Sequence, residues 1–162
     1  RRVRGGERPP VDRETAAALI ARHLDPDARI EEGAFLSGWG LASAAMDLSD
    51  GLSTDLDRLC EASGAGAAVV AESLPVSRET RRWAARAGVD PLRLALDGGE
   101  DYELLFTMPR GLERRLRGWP AGRGTGPFRI GRILPRRKGL LLVDARGRSR
   151  GLRPAGYDAF RR

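Results

Sequence analysis

The chain has 162 residues, 41% hydrophobic and 31% charged, the balance of one soluble globular domain with a small appendage and enough length to bury a core. No dozen apolar residues run unbroken and the opening lacks a charged, then apolar, then small pattern, so neither a membrane span nor a signal peptide is expected and the chain reads as cytoplasmic. The formal net charge of +7 is unevenly placed: residues 1–109 carry 13 Arg against 19 Asp or Glu, and residues 110–162 carry 15 Arg and Lys138 against Glu113, Asp144 and Asp158. An arginine, glycine and alanine bias of this kind reads as compositional, and the basic third lacks interleaved aromatics, which argues against a nucleic-acid partner.

Residues 1–11 form a basic, breaker-rich linker expected to join this domain, residues 12–162, to a preceding one. Asp12 is positioned to cap a helix on which Ala16, Leu19, Ile20 and Leu24 recur at helical spacing, with His23 as a structural residue. Residues 25–40 hold three glycines and mixed charge and are expected to be loop and short irregular pieces. Residues 42–48 read as a short buried strand, followed by a helix whose apolar face is Leu52, Leu56, Leu59 and Cys60 and whose wet face is Asp55, Asp57 and Arg58. Residues 67–71 read as a strand, Ser77 as the cap of a helix to about residue 87 with Trp83 on its inner side, and Asp90-Pro91 as another helix start. Residues 102–108 form a strand, and Leu112, Leu116 and Trp119 mark a helix. Residues 128–134 and 140–143 are expected to pair as a hairpin around the solvated basic tip Arg136-Arg137-Lys138. Mixed order of strands and helices makes the fold class α+β, a mixed β-sheet with helices packed on it.

With one cysteine and one histidine, chemistry falls to carboxylates, hydroxyls, backbone amides and arginine. Two acidic motifs stand out. In Asp47-Leu48-Ser49-Asp50-Gly51, strand alternation places Asp47 and Ser49 on one face and the turn brings Asp50 near them, beside free helix amides that favour phosphate. Magnesium requires hard oxygen donors of this kind. A helix cap at Asp50 and a solvated strand end at Asp47 would account for the same residues. In Gly98-Gly99-Glu100-Asp101-Tyr102-Glu103, alternation would set Glu100 and Tyr102 against Asp101 and Glu103, and a solvated turn is the simpler alternative. Neither motif is a Walker sequence, a Rossmann fingerprint or a nucleophile elbow.

Taken together, residues 44–52 with Asp55-Leu56, Leu74-Pro75, residues 98–104 and Gly156-Tyr157-Asp158 resemble, in order and spacing, the C-terminal domain of the thiamine-monophosphate kinase family, of the aminoimidazole ribonucleotide synthetase superfamily. The resemblance covers about residues 12–160. It implies ATP-dependent phosphorylation of thiamine monophosphate to thiamine diphosphate, with Asp47 and Asp50 as magnesium ligands, Ser49 contacting ATP, Glu100 contacting thiamine monophosphate and Tyr157 lying against its ring. It further implies an N-terminal domain that completes the site, a homodimer at full length, and negligible activity for this piece alone. Another ATP-dependent member of the superfamily, a basic nucleic-acid module and a folded scaffold are the competing readings.

Overall fold

A computed structural model describes residues 11–120 and 126–157, and the fold follows from where their apolar faces meet. The helices are α1 (Arg13–Leu24), α2 (Ile30–Gly38), α3 (Leu52–Ala62), α4 (Arg78–Ala87) and α5 (Pro91–Asp97). The strands are β1 (Ala44–Asp47), β2 (Ala65–Val70), β3 (Leu104–Thr107), β4 (Gly131–Pro135), β5 (Leu140–Val143) and β6 (Ser149–Gly151). The architecture is α+β. Strands β1 and β3 make a two-stranded antiparallel sheet, and the other four make a mixed sheet in the order β4-β2-β5-β6.

Helix α3 joins these parts. Its Leu52, Leu56, Leu59 and Cys60 pack into one core with Ala67 and Val69 of β2, Leu96 of α5, Leu105 of β3 and Leu142 of β5. Burying a Leu-sized side chain contributes about 1.5–3 kcal/mol, so this shared face fixes α3 between the two sheets and holds the loop before it. Local signals set three other helix starts. The side chains of Asp12, Ser77 and Asp90 accept from the amides of Thr15, Thr80 and Leu92, each relieving one of the unpaired donors of a first turn.

Two expectations are corrected and two are refined. Strands β4 and β5 are not a hairpin: β2 lies between them, antiparallel to β4 and parallel to β5. The link between β4 and β5, a 3-10 turn over Arg136–Lys138 and then Gly139, spans the width of an intervening strand. The segment before β1 contains a true helix, α2, because Leu36 is buried and Phe35 meets Trp119 edge-on at 5.9 Å. The apolar stripe of α1 is buried only in part: Ala16 is buried beside Thr15 and Leu19 is half-buried, whereas Ile20 and Leu24 are exposed. Finally, the helix expected at Leu112, Leu116 and Trp119 is a 3-10 helix over Glu113–Gly118. The basic residues Arg136, Arg137 and Lys138 form an exposed turn as expected, and no described helix is long and apolar enough to cross a membrane. Residues 1–10 of the expected linker and Asp158 of the Gly156-Tyr157-Asp158 motif lie outside the described residues.

Candidate functional site

The two acidic motifs meet through their backbones. The Leu48 N–H donates to the Glu103 carbonyl (2.9 Å), the Glu100 N–H to the Ser49 carbonyl (2.8 Å), and the Tyr102 N–H to the Leu48 carbonyl (2.8 Å). Glu100 and Tyr102 adopt left-handed backbone, φ 66° and 50°. That conformation is unfavourable for residues with a Cβ, and here it is what turns both amides onto the neighbouring loop. Gly51 has φ 104°, and a Cβ there would come within 2.9 Å of the Gly98 carbonyl oxygen, so glycine is needed where the loop enters α3.

Beneath this loop sits Asp55, with no solvent exposure. Its Oδ2 accepts from the amides of both Ser49 and Asp50, each at 3.0 Å, and its Oδ1 accepts from Arg58 Nη1 at 3.1 Å. Asp55 is therefore not on a wet face, and the correction has a plain cause: two amide donors and a guanidinium replace the water a carboxylate otherwise requires. The loop amides of Ser49 and Asp50 are thus spent on Asp55, and of the helix amides in the first turn those of Thr54 and Asp55 donate to the Gly51 carbonyl at 3.0 Å.

A segment of the C-terminal tail completes the cluster. The Ala155 N–H donates to Ser53 Oγ (3.1 Å), the Gly156 N–H to Thr54 Oγ1 (3.1 Å), and the Tyr157 N–H to the Asp50 carbonyl (2.9 Å). Ser53 Oγ in turn donates to Asp97 Oδ1 at 2.8 Å. A Cβ on Gly156 would lie 1.9 Å from the Asp50 carbonyl oxygen, so only glycine lets the tail approach this closely.

The side chains distribute as follows. Asp47 is exposed and lines a cleft of about 280 Å³ with Arg29, Ile30, Tyr102, Glu103 and Leu104. Tyr102 and Glu103 share that cleft, so the expected strand alternation fails in a loop with two left-handed residues. Arg29 grips both oxygens of Glu103 at 2.9 and 2.7 Å and stands 3.5 Å from Glu32. The hydrogen bond to Glu103 raises the Arg29 pKa above its ordinary value. Asp50, with its side chain 24% exposed, pairs with Arg58, and that bond raises the Arg58 pKa. Glu100 Oε2 stands 3.6 Å from His23 Nε2, both well exposed. Ser49 participates through its backbone, and the Tyr157 ring is 68% exposed. Burial, then the charge of Glu103, pushes the Asp101 carboxyl up to about 6 against the pull of Arg22.

Ser49, Asp50, Glu100 and Tyr157 are thus tied into one backbone network, with Asp47 on the adjoining cleft. Sequence reasoning missed Asp55, Ser53, Thr54 and Arg29. The first three had a signal, a run of hydroxyl and carboxyl side chains in the first turn of a helix; Arg29 had none. Magnesium binds hard oxygens octahedrally and leaves places for water and phosphate. Asp47 and Asp50 are the right donors, and the Arg58 guanidinium already stands as a cation against Asp50. They fit as part of a coordination set, since no group of three or more His, Cys, Asp or Glu gathers into a metal-sized cluster among the described residues.

Known proteins resemble this chain in sequence and fold. No protein-family model matches the chain. The thiamine-monophosphate kinase of Escherichia coli (strain K12) is 40% identical over 154 residues, which covers 93% of this chain and 45% of that protein. The solved structure of AaThiL complexed with AMPPCP and TMP superposes with a TM-score of 0.74 at 34% identity, over 93% of this chain and 43% of that one. Escherichia coli HypE, a hydrogenase maturation protein, superposes with a TM-score of 0.65 at 19% identity, over 90% of this chain and 47% of its own, a likeness of fold. The chain spans less than half the length of each. By sequence and fold together, the chain matches part of the thiamine-monophosphate kinases and shares their aminoimidazole ribonucleotide synthetase-like fold.

Proposed function

We propose that the chain is the C-terminal half of an ATP-dependent thiamine-monophosphate kinase, which moves the γ-phosphate of ATP to thiamine monophosphate and yields thiamine diphosphate. The N-terminal half of the same enzyme would complete the site, in a cytoplasmic homodimer. The observation that carries this reading is the convergence of three distant segments, residues 47–51, 98–103 and 155–157, through backbone hydrogen bonds of 2.8–2.9 Å. Phosphoryl transfer needs little covalent help from protein and depends on positioning and charge neutralisation, and a knitted backbone of this kind supplies the positioning.

Asp47 and Asp50 would hold magnesium, and the bound ion would neutralise phosphate oxygens during in-line transfer. Ser49, beside them, would contact ATP. Glu100, on the adjacent loop, would meet thiamine monophosphate, and the exposed Tyr157 ring offers its face to the cationic thiazolium. Arg29 would brace the cleft wall by holding Glu103 opposite Asp47.

The test is a chimera in which this chain replaces the stretch it matches in the Escherichia coli (strain K12) relative. It is expected to form thiamine diphosphate from ATP and thiamine monophosphate, with Asp47→Asn and Asp50→Asn each lowering kcat/KM at least about a hundredfold, the scale of a removed charge-stabilising group. A folded chimera that binds ATP yet forms no product would overturn the assignment.

A further inference from the structure

Arg58 lies one turn along α3 from Asp55, and its Nη1 donates to two carboxylates that are held very differently. Asp55 is wholly buried, with Oδ2 committed to two backbone amides at 3.0 Å and Oδ1 to the guanidinium at 3.1 Å. It has no alternative partner to move to. Asp50 projects from the loop with 24% of its side chain exposed, and Arg58 takes its Oδ2. The Arg58 side chain is itself 49% exposed on a flexible stem. One anchor of the guanidinium is thus permanent and the other exchangeable.

We propose that Arg58 is a resident counter-ion that holds the Asp50 carboxylate in position, and that a divalent cation displaces it from Asp50 while the guanidinium stays on Asp55. The proposal rests on the reading of Asp50 as a magnesium ligand. A divalent ion on Asp50 brings two positive charges next to a guanidinium, and at such range in a partly buried site like charges repel strongly. A divalent ion that takes the Asp50 Oδ2 now held by Arg58 must displace the guanidinium from that oxygen. Arg58 therefore sets the divalent affinity by competition, and it spares the empty loop an unpaired acidic group. Asp55, pinned under the loop, keeps the guanidinium close enough to return when the ion leaves.

The test measures Mn2+ binding to the full chain, by electron paramagnetic resonance of the free ion, for the wild type, Arg58→Gln, Asp50→Asn and the double variant. Contacting groups couple by amounts that correspond to between about threefold and a hundredfold in an equilibrium constant. Arg58→Gln is expected to bind Mn2+ at least about threefold more tightly than wild type, and the gain is expected to vanish in the Asp50→Asn background, as a direct competition requires. Unchanged or weaker binding by Arg58→Gln overturns the proposal, as does an equal gain with Asn at position 50, which would mark a through-space charge effect. Asp50→Asn binding as tightly as wild type, or a wild type that binds no Mn2+ in the millimolar range, overturns instead the ligand reading beneath it. Should Arg58→Gln fail to fold, Mg2+ titration of the wild type decides. An Arg58 Nε–Hε NMR signal that shifts and saturates with binding supports displacement, and an unmoved signal overturns it.

Discussion

Asp55→Asn tests whether a buried carboxylate organises the site loop. The substitution is nearly isosteric, so packing is preserved and the loss is electrostatic. In wild type, Oδ2 accepts two backbone amides at 3.0 Å and Oδ1 accepts a guanidinium at 3.1 Å. With the Asn oxygen facing the amides, both hydrogen bonds persist but lose charge assistance, about 1 kcal/mol each, and the new NH2 confronts Arg58 donor to donor. With the amide flipped, both backbone donors lose their acceptor instead. Either way the expected destabilisation is about 2–3 kcal/mol, or a fall in Tm of about 4–12 °C for a domain of this length. Asp55→Ala, which orphans both loop amides and takes from Arg58 one of its two carboxylates, is expected to lose about 4 kcal/mol. Urea unfolding followed by circular dichroism gives the energies, with the denaturant slope unchanged if the unfolded state is unaltered. Hydrogen exchange locates the effect, since the amides of Ser49 and Asp50 should lose protection while those in the middle of α3 keep theirs. A loss below about 0.5 kcal/mol with both amides still protected would refute the reasoning, because such a value is that of an ordinary surface substitution.

Gly156→Ala drives a Cβ to 1.9 Å from the Asp50 carbonyl oxygen, so the tail must lift and release its bonds to Thr54 and Asp50. An overpacking cost of about 1–3 kcal/mol is expected, with faster proteolysis beyond β6; cleavage at the wild-type rate would mean that these bonds do not secure the tail. Asp101→Asn tests the raised acid. Folding lifts this carboxyl from 3.8 to about 6, so the native state holds the proton more tightly, and ionisation between those values opposes folding in full only above about 6. The variant is expected to be more stable than wild type near neutral pH and equal to it below about pH 4. Asp101 reaches solvent, which limits the gain to under about 1 kcal/mol, or about 2–4 °C in Tm. A difference that does not change with pH would refute the cause given.

What could be read from the sequence was what lies within one turn of itself. Asp12, Ser77 and Asp90 each announce a helix by a carboxyl or hydroxyl placed two or three residues before the amide it accepts from. Each cap is local, so no knowledge of the tertiary fold was required. The order β4-β2-β5 is the opposite case. Residues 131–143 read locally as strand, basic turn, strand, and nothing within them encodes that β2, some sixty residues earlier, enters the gap between the two. Helix α2 was obscured for a similar reason. Its two glycines weigh against a helix in isolation, and the compensating contacts, Leu36 in the interior and Phe35 on Trp119, depend on the tertiary fold.

The site motifs were legible as a resemblance, but the physics that assembles them was hidden by a sufficient local explanation. Ser53, Thr54 and Asp55 are poor helix formers, and their position in the first turn of α3 already agrees with the preference of such residues for helix starts. None of the three caps this helix: Gly51 is the N-cap and makes no side-chain bond. Ser53 instead joins Asp97 to Ala155, Thr54 receives Gly156, and Asp55 receives the loop amides. Three successive side chains therefore bind three different parts of the chain, each nearly or wholly out of solvent. Because buried polar side chains require partners, their run in the first turn of an otherwise apolar-faced helix is the sequence trace of a junction, and a helix start without a side-chain cap is where that trace is worth seeking.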